Sequence, residues 1–370
     1  MANVLVIVSY RIFPTHMGGQ KAVALLCRHL QAYHHIELAV SVDNASPVEV
    51  FPVRKMLFNN KRIARNICRI NALRKIVQQN KIDCIIAEHS YTGWIAWLLR
   101  KITGTPFIIH SHNNEASRFR QMGKRNWMLY SSYEKWIHQK ANFNFFITEE
   151  DLTTANRHYL LDPLKSAVIP YGIEENKIID NAKERLAESF GVSASYLLYF
   201  NGTLDYAPNS EAVEMIIKEI NPRLMQRGID FKIIISGKRL LSSFQQQVER
   251  MSTICFLGFA PDTTLLYQAC TLFINPVTNN SGIKTKVVEA LSQHCTVVST
   301  RSGATGIPNY LCADKLFVSE DRHWDGFVDN IMNCLHMPPR ETPVAFFNYF
   351  QWEKVAAKAA LHIDNIVKNA

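Results

Sequence analysis

The sequence alternates short strand-like runs with helical stretches over most of its 370 residues, and this order restricts the fold more than any other feature. The first half contains six predicted strands: Val4–Tyr10, Ile36–Val42, Asp83–Glu88, Pro106–His110, Asn144–Thr148 and Ser166–Pro170. Helices are predicted between them, among them Lys21–Tyr33 and Lys61–Asn80. Because strands that alternate with helices form parallel sheets, the pattern predicts an α/β protein.

The alternation begins again in the second half. Its six predicted strands are Tyr196–Asn201, Phe231–Ser236, Ile254–Leu257, Thr271–Asn275, Thr296–Thr300 and Lys315–Val318. A chain of this length is typical of two domains, and the restart favours two doubly wound domains over one large sheet. We place the boundary between Gly172 and Ser195, giving domains of residues 1–172 and 173–351. The last helix, Trp352–Ala370, either caps the second domain or crosses back to the first.

The composition is that of an ordinary globular protein, 47% hydrophobic and 20% charged. No apolar stretch approaches the ~20 residues that span a bilayer, and the first strand follows Met1 without a basic leader. We therefore expect a cytoplasmic protein. The eight cysteines form no CxxC pair and favour reduced core thiols over disulfides or zinc. The net charge of +9 favours an anionic partner.

Two glycine-containing turns follow predicted strands. Gly18 and Gly19 come after the first strand and precede a helix, where backbone N–H groups can approach a phosphate. Gly202 and Thr203 follow the first strand of the second domain and could line a phosphate site as well. Ordinary turns explain both equally well, and Asn209 would then cap the next helix.

The richest polar cluster, residues 110–115, directly follows an apolar strand. It contains His110, His112 and Glu115, with a serine and two asparagines among them. The carboxyl end of a strand in an open α/β sheet faces the ligand crevice, and a histidine there can act as acid, base or hydrogen-bond partner. We place His112 first and His110 second, because His110 points the opposite way if the chain continues through Ser111 only as loop. The alternative is a capped loop.

The most informative stretch is Ser281–Leu291. A helix that begins at Ser281 and Gly282 would direct N–H groups at a phosphate. Lys284 and Lys286 add cationic donors for a diphosphate, and Glu289 follows about two turns into the helix. A carboxylate there can bind two ribose hydroxyls. The alternative is an amphipathic helix with solvated lysines.

Residues 54–81 carry nine basic side chains and no acidic one. Ile63, Ile67, Ile70 and Val77 lie at helical spacing, which predicts one buried and one cationic face. Such a face attracts anionic lipid, although a merely solvated face explains it equally well. Nucleic acid is disfavoured because no aromatic residues alternate with the charges.

Several catalytic patterns are absent. The sequence has no D-x-D, H-E-x-x-H, Walker A or G-x-S-x-G motif. Metal-dependent transfer of the single-domain type, zinc hydrolysis and P-loop chemistry are therefore unsupported.

Taken together, six motifs in order resemble the retaining GT-B glycosyltransferases of family 4, the group 1 transferases. They are Gly18-Gly19, His112–Glu115, Pro170–Gly172, Gly202–Asn209, Gly282–Ala290 and Tyr349–Glu353. The resemblance implies two Rossmann-like domains facing a central cleft, with the last helix packing back on the first. It also departs from many relatives, which carry a glutamate where this chain has Ser281.

The resemblance further implies a hexosyl-type transferase that acts with retention and needs no metal or other cofactor. Its donor would be a nucleotide sugar, and its acceptor a glycan or lipid-linked molecule in bacterial polysaccharide assembly. His112 and Glu289 are the predicted catalytic residues. The predicted donor site comprises Gly18, Gly19, Gly202, Thr203, Gly282, Ile283, Lys284, Thr285, Lys286 and Glu289. A nucleotide-sugar epimerase and a non-catalytic sugar-nucleotide-binding partner remain the alternatives.

Overall fold

The structure, a computed structural model, describes residues 1–15, 18–46, 49–174, 178–278, 282–338 and 340–369, with the backbone but not the side chain of Gln121. The chain divides into two compact units. Unit 1 contains Met1–Gly172 and Tyr349–Ala370, and unit 2 contains Ile173–Asn348. Each unit is built on one sheet.

The strands of the described residues are β1 Asn3–Val8, β2 His35–Ser41, β3 Val53–Leu57, β4 Cys84–Glu88, β5 Phe107–Ser111, β6 Phe143–Phe146, β7 Ser166–Val168, β8 Tyr196–Thr203, β9 Phe231–Lys238, β10 Ile254–Gly258, β11 Leu272–Asn275, β12 Thr296–Thr300 and β13 Leu316–Ser319.

The α-helices are α1 Gly18–Leu30, α2 Ile70–Gln79, α3 Gly93–Thr103, α4 Glu115–Gln121, α5 Trp127–Lys140, α6 Glu149–Tyr159, α7 Ala182–Phe190, α8 Ala207–Met215, α9 Asn221–Gln226, α10 Ser242–Val248, α11 Thr264–Ala269, α12 Thr285–Ser292, α13 Trp324–Leu335, α14 Val344–Phe350 and α15 Trp352–Lys368. A π-helical segment, Ile216–Ile220, connects α8 to α9.

Both sheets are parallel and doubly wound. Unit 1 has seven strands in the order β3-β2-β1-β4-β5-β6-β7, and unit 2 has six in the order β10-β9-β8-β11-β12-β13. The order reverses between β1 and β4 in unit 1 and between β8 and β11 in unit 2. Open α/β sheets bind ligands beyond the carboxyl ends of the strands at such reversals. The predicted pair of Rossmann-like α/β domains is confirmed.

Strand β3 was not predicted. It lies at the edge of the unit 1 sheet, next to β2, and two of its five residues, Arg54 and Lys55, are exposed. Arg54 pairs with Glu37 of β2. An edge strand carries charge because one of its sides meets water, so it lacks the apolar run that reveals a central strand.

The basic segment differs from the prediction of one long helix. Asn60–Arg69 forms a 3-10 helix with a kink at Arg62, and only α2 after it is α-helical. Asn66 takes the inward position, where its side chain bonds both backbone polar groups of Phe58 at 2.8 and 3.0 Å. Ile67 is consequently 56% exposed instead of buried, although Ile70 and Val77 are buried as expected.

The last helix, α15, packs on α1 within unit 1. The rings of His29 and Trp352 stack with centroids 6.1 Å apart, and Trp352 is buried. A Cβ atom on Gly172 would clash with that indole, so only glycine fits at the end of the first chain segment. Every helix in the described part of the chain is too short or too polar to span a bilayer. All eight cysteines are free, and only Cys68 is exposed.

Candidate active site

A buried carboxylate and two histidines meet beyond the central strands of unit 1. Glu88 is the last residue of β4 and pairs in register with His110 of β5. Nδ1 of His110 lies 3.1 Å from Oε1 of Glu88, and Nε2 of His112 lies 2.6 Å from Oε2. All three residues are buried. His112, the predicted catalytic residue, therefore belongs to a hydrogen-bonded group that is largely shielded from water.

Our expectation that His110 points away from His112 was wrong. Side chains two positions apart in a strand lie on the same face, and β5 continues through Ser111. The two imidazole rings consequently approach each other, with centroids 4.7 Å apart, and share one carboxylate.

The charges in this group follow from its burial. Burial alone would raise the pKa of Glu88, but the charges and hydrogen bonds of the two histidines outweigh it and hold that pKa well below its usual value. Burial lowers the pKa of His112, although the hydrogen bond to Glu88 opposes this shift. At neutral pH an ionised carboxylate thus accepts an N–H bond from a neutral His112.

The side chains of Glu88, His110 and His112 are also of the types that bind metal ions. Each offers one ligand atom, and these atoms lie within 4.8 Å of one another. Two histidines and a carboxylate are a set that zinc takes in proteins. In this arrangement, however, hydrogen bonds already join the ligand atoms and use both carboxylate oxygens. The prediction that no metal is needed stays a prediction.

A second buried carboxylate, which the sequence did not reveal, braces the loop after His112. Glu134 of α5 accepts hydrogen bonds from Ser90 at 2.7 Å, from the Ala116 N–H at 2.8 Å and from Tyr159 at 2.8 Å. Burial raises the pKa of Glu134, and these donors oppose the shift. They connect the segments after β4 and β5 to α5 and α6, so the loop has a fixed course.

The glycine pair of unit 1 lies within a helix rather than before it. Gly18 and Gly19 are the first two residues of α1. A Cβ atom built on Gly19 would meet no atom within 4 Å, so the backbone there is open to an approaching group. Unbonded N–H groups of a first helical turn attract anions. Phosphate binding by this pair stays a prediction.

In unit 2, Asn209 joins the two predicted nucleotide motifs. Its Nδ2 donates to the Thr203 carbonyl at 2.9 Å, and its Oδ1 accepts from Nζ of Lys286 at 2.6 Å. The same ammonium lies 4.3 Å from the centroid of the Phe200 ring. Gly202 and Thr203, predicted as a turn, are instead the last two residues of β8, and they lie beside the lysine-containing segment although the two are far apart in sequence.

Lys286 has an unusual environment for a cation. Burial, reinforced by the positive charge of Lys284, lowers the pKa of Lys286 to about 7, and the negative charge of Glu289 opposes the shift. Lys284 donates to the Gly282 carbonyl at 3.0 Å. The Lys286 side chain is partly buried and its ammonium bonds the neutral amide oxygen of Asn209, so a bound anion would stabilise its charge.

The helix expected to open at Ser281 and Gly282 begins later. Helix α12 starts at Thr285, and Lys284 precedes it. Gly282 lies in the preceding loop with φ of 61°, and Ile283 follows it there. The loop requires that positive φ, which favours glycine. Ser281 lies outside the described residues.

Sequence reasoning missed a cavity of about 510 Å³ beyond β9 and β10. Gly237 and Lys238 line it and pair in register with Gly202 and Thr203. A Cβ atom on Gly237 would clash with the Gly202 carbonyl oxygen, so the close approach requires glycine. Nζ of Lys238 lies 3.8 Å from the centroid of the Phe259 ring, which also lines the cavity. The sequence signal for this cavity was Gly237 near the end of β9, which repeats the position of Gly202 near the end of β8.

Two family models match this chain. The model described as Glycosyltransferase Family 4 matches residues 17–177, and the model described as Glycosyl transferases group 1 matches residues 195–337. A Klebsiella pneumoniae protein described as "Uncharacterized 44.6 kDa protein in cps region" is 20% identical over 346 residues. The match covers 83% of this chain and 84% of that protein.

Three solved structures resemble the whole chain. Sucrose-phosphate synthase from Thermosynechococcus elongatus gives a TM-score of 0.79 at 13% identity, with 100% of both chains covered. Anabaena HepE in complex with UDP and glucose gives 0.74 at 14%, covering 99% of this chain and 100% of that one. WaaG, a glycosyltransferase involved in lipopolysaccharide biosynthesis, gives 0.65 at 14%, covering 99% and 98%. The predicted GT-B fold is confirmed.

Proposed function

Because this chain belongs to the group 1, family 4 glycosyltransferases, we propose that it transfers a sugar from a nucleotide diphosphate to a glycan or lipid-linked acceptor. The observation that carries the proposal is the contact of Asn209 with both Thr203 and Lys286 in unit 2. This contact places a lysine ammonium, which can bind an anion, beside the end of β8. Assembly of a polysaccharide or glycoconjugate is the proposed setting. It is supported by the Klebsiella relative of the cps region and by the likeness to WaaG.

Unit 2 would bind the donor. The charge of Lys286, with Lys284 and the N–H of Gly282, would neutralise the diphosphate, and Glu289 would accept hydrogen bonds from the ribose hydroxyls. The cavity beside Lys238 is a suitable place for the base, since it adjoins Gly202 and Thr203 at the end of β8 and is lined by an aromatic ring. HepE was solved with UDP and with UDP-glucose, which supports a donor of this class.

His112 would act on the transferred sugar. As a neutral imidazole it can accept a hydrogen bond from a sugar hydroxyl, or stabilise positive charge as the glycosidic bond to the diphosphate breaks. We propose transfer with retained anomeric configuration and without a metal cofactor, as the family resemblance implies. Positioning and stabilisation of the leaving diphosphate would supply most of the rate enhancement.

The basic segment, residues 54–81, would hold the enzyme at an anionic membrane surface where a lipid-linked acceptor is available. Lys61, Arg62, Arg65, Lys75 and Lys81 are exposed. Clustered lysine and arginine near an anionic surface contribute about 1 kcal/mol each. Nucleic acid is not among the proposed partners.

A donor screen followed by product analysis tests this function. A bound nucleotide sugar at 100 times its Kd should stabilise the protein by about 2.7 kcal/mol and raise its Tm. The donor found should then yield nucleoside diphosphate and a glycosylated acceptor, whose anomeric configuration NMR assigns. An epimer formed without acceptor would indicate the epimerase instead. Binding without any turnover would indicate a non-catalytic partner.

A further inference from the structure

Among the described residues, Glu88 is the only carboxylate that bonds both His110 and His112. It is 1% exposed. It faces His110 directly across the β4–β5 ladder and reaches His112 two positions further along. Each of its oxygens is used by one ring. The carboxylate therefore fixes the orientation of two imidazoles at once.

These bonds also decide where the protons of the imidazoles lie. An ionised carboxylate only accepts hydrogen bonds, so Nδ1 of His110 and Nε2 of His112 must each carry a hydrogen. A neutral imidazole has one N–H, and its other nitrogen is a lone-pair acceptor. If both rings are neutral, His112 presents Nδ1 as an acceptor.

The other nitrogen of His110 supports this assignment. Its Nε2 is buried and finds no hydrogen-bond partner among the described residues. An N–H at that atom would be a buried, unsatisfied donor, which costs about 1–3 kcal/mol. No partner at Nε2 therefore competes for the hydrogen on Nδ1, which Glu88 accepts. The two histidines thus bond the same carboxylate through opposite ring nitrogens.

Two neighbouring imidazole rings pack against His112 as well. The ring of His89 lies 4.3 Å from that of His112, on which His110 also packs at 4.7 Å. The backbone N–H of His89 donates to the His110 backbone carbonyl at 2.8 Å. The His89 ring stacks on the Tyr91 ring, with centroids 4.8 Å apart. Together with the bond to Glu88, these contacts restrict the orientation of the His112 ring.

We propose that Glu88 is a positioning residue for sugar transfer: it selects the Nε2–H tautomer of His112, so that Nδ1 accepts a hydrogen bond from a hydroxyl of the bound sugar. The proposal rests on the proposed function, because it needs His112 to act on a sugar. Beyond that function, the proposal assigns a role to Glu88 and a tautomer to His112. It also names the group that His112 recognises, a hydroxyl that donates a hydrogen bond. Glu88 itself touches no substrate.

The first test reads the tautomers directly. In wild-type protein with 15N-labelled histidine at pH 7, the signals absent from His112→Asn should show Nε2–H, and those absent from His110→Asn should show Nδ1–H. In Glu88→Gln the amide accepts one bond and must donate the other, so one of the two rings should change tautomer. Reversed tautomers in the wild type, or unchanged ones in Glu88→Gln, would overturn the proposal.

The second test reads catalysis. Turnover of Glu88→Gln should fall on the order of 10²-fold or more, as when a triad carboxylate is replaced by its amide, with nucleotide affinity unchanged. Because the carboxylate raises the pKa of His112, its loss should also move the acid limb of the rate profile to lower pH. Glu88→Asp, which keeps the charge, should keep both tautomers and recover part of the rate. A rate loss at every pH without a moved limb would indicate a structural role only.

The outcomes separate this proposal from the function it rests on. Transfer by the wild type with near-normal turnover of Glu88→Gln refutes the role of Glu88 alone. A wild type that transfers no sugar from any donor, yet shows the expected tautomers, refutes the function and with it the positioning role. One equivalent of Zn²⁺ bound by the wild type, and lost in Glu88→Gln, would show a metal site there instead and overturn the proposal.

Discussion

Asn209 accepts a hydrogen bond of 2.6 Å from the ammonium of Lys286, 77 positions away in the sequence. The same amide donates to the Thr203 carbonyl, so the start of α8 connects the end of β8 to the first residues of α12. The bond leaves Lys286 with a neutral partner rather than an anionic one. Among the described side chains, no anionic group is seen at hydrogen-bond distance from this ammonium. A bound diphosphate would therefore supply the first full negative charge in contact with it.

Donor affinity should consequently depend on pH. Burial lowers the pKa of unliganded Lys286 to about 7, and a bound diphosphate favours the protonated form and raises that pKa again. Above pH 7 binding must take up a proton, so affinity should fall as pH rises, by up to about tenfold per pH unit. Calorimetry in two buffers of different ionisation heat measures this uptake. A nucleotide sugar is the proper probe because its diphosphate does not titrate near neutral pH.

The matched variant for this experiment is Lys286→Arg. A guanidinium stays charged throughout this range, so the variant should bind more weakly or equally well but without proton uptake. The same pH slope in Lys286→Arg would show that another group titrates.

Replacing Glu289 by glutamine should weaken donor binding more than it affects folding. The charged oxygens of Glu289 are proposed to accept two ribose hydroxyl bonds, each worth about 1.5–3 kcal/mol, and the amide keeps the shape without the charge. Titration calorimetry with the donor and urea unfolding give the two free energies. Unchanged donor affinity in the folded variant would remove Glu289 from the site.

The sequence predicted the sheets better than the site. Central strands such as β8 are buried apolar runs that can be recognised in the sequence. Edge strand β3 is partly exposed and has no such run. His112 was found because polar residues crowd together after a strand. Glu88 was not, because its importance depends on the register of β4 with β5, which brings it beside a residue 22 positions later. Partners of this kind follow from tertiary pairing, and no local pattern reveals them.

His89 adopts a backbone conformation that belongs almost only to glycine, with φ of 65° and ψ of 152°. Such strain costs of order 1–3 kcal/mol. His89→Gly should therefore be more stable than His89→Ala by about 1–3 kcal/mol, since both variants lose the ring but only alanine keeps the strain. Urea unfolding measures the difference. The same pair of substitutions at neighbouring Tyr91, whose backbone has no positive φ, should show the reverse order. If the alanine variant were the more stable at both positions, the backbone of His89 would not be strained.

The basic segment should mediate weak binding to anionic vesicles that decreases with added salt. Charge reversal of three exposed side chains, Lys61, Arg62 and Arg65, to glutamate should abolish it. Co-sedimentation with vesicles of anionic and of neutral lipid measures both effects. The control reverses three other exposed lysines of unit 1, Lys165, Lys354 and Lys358, for the same change in net charge. Equal loss in both triple variants would indicate a general charge effect, and equal binding to neutral vesicles would exclude an electrostatic surface.

His112→Ala gives the most direct test of where catalysis occurs. The lysine-containing nucleotide motif and Glu289 belong to unit 2 and His112 to unit 1, so the substitution should lower turnover on the order of 10²-fold or more while nucleoside diphosphate affinity barely changes. Burial lowers the pKa of His112 below its usual value, so the catalytic neutral form should predominate at pH 7. The wild-type rate should therefore fall only at more acidic pH, as the ring becomes protonated and loses its acceptor. In the alanine variant that acid limb should disappear.

A second buried histidine of unit 1 provides the control. The ring of His34 bonds the Ala2 N–H at 3.3 Å and lies 3.4 Å from the Ala360 carbonyl, far along the chain from the His112 loop. His34→Ala should lower the free energy of unfolding by about 1–3 kcal/mol, because it removes buried hydrogen bonds, but leave turnover per folded molecule unchanged. His112→Ala also removes a buried hydrogen bond and should lower the free energy of unfolding too, but in this variant turnover per folded molecule should fall as well. Near-normal turnover in His112→Ala, or a loss of nucleotide affinity equal to the loss of rate, would place the catalytic centre elsewhere.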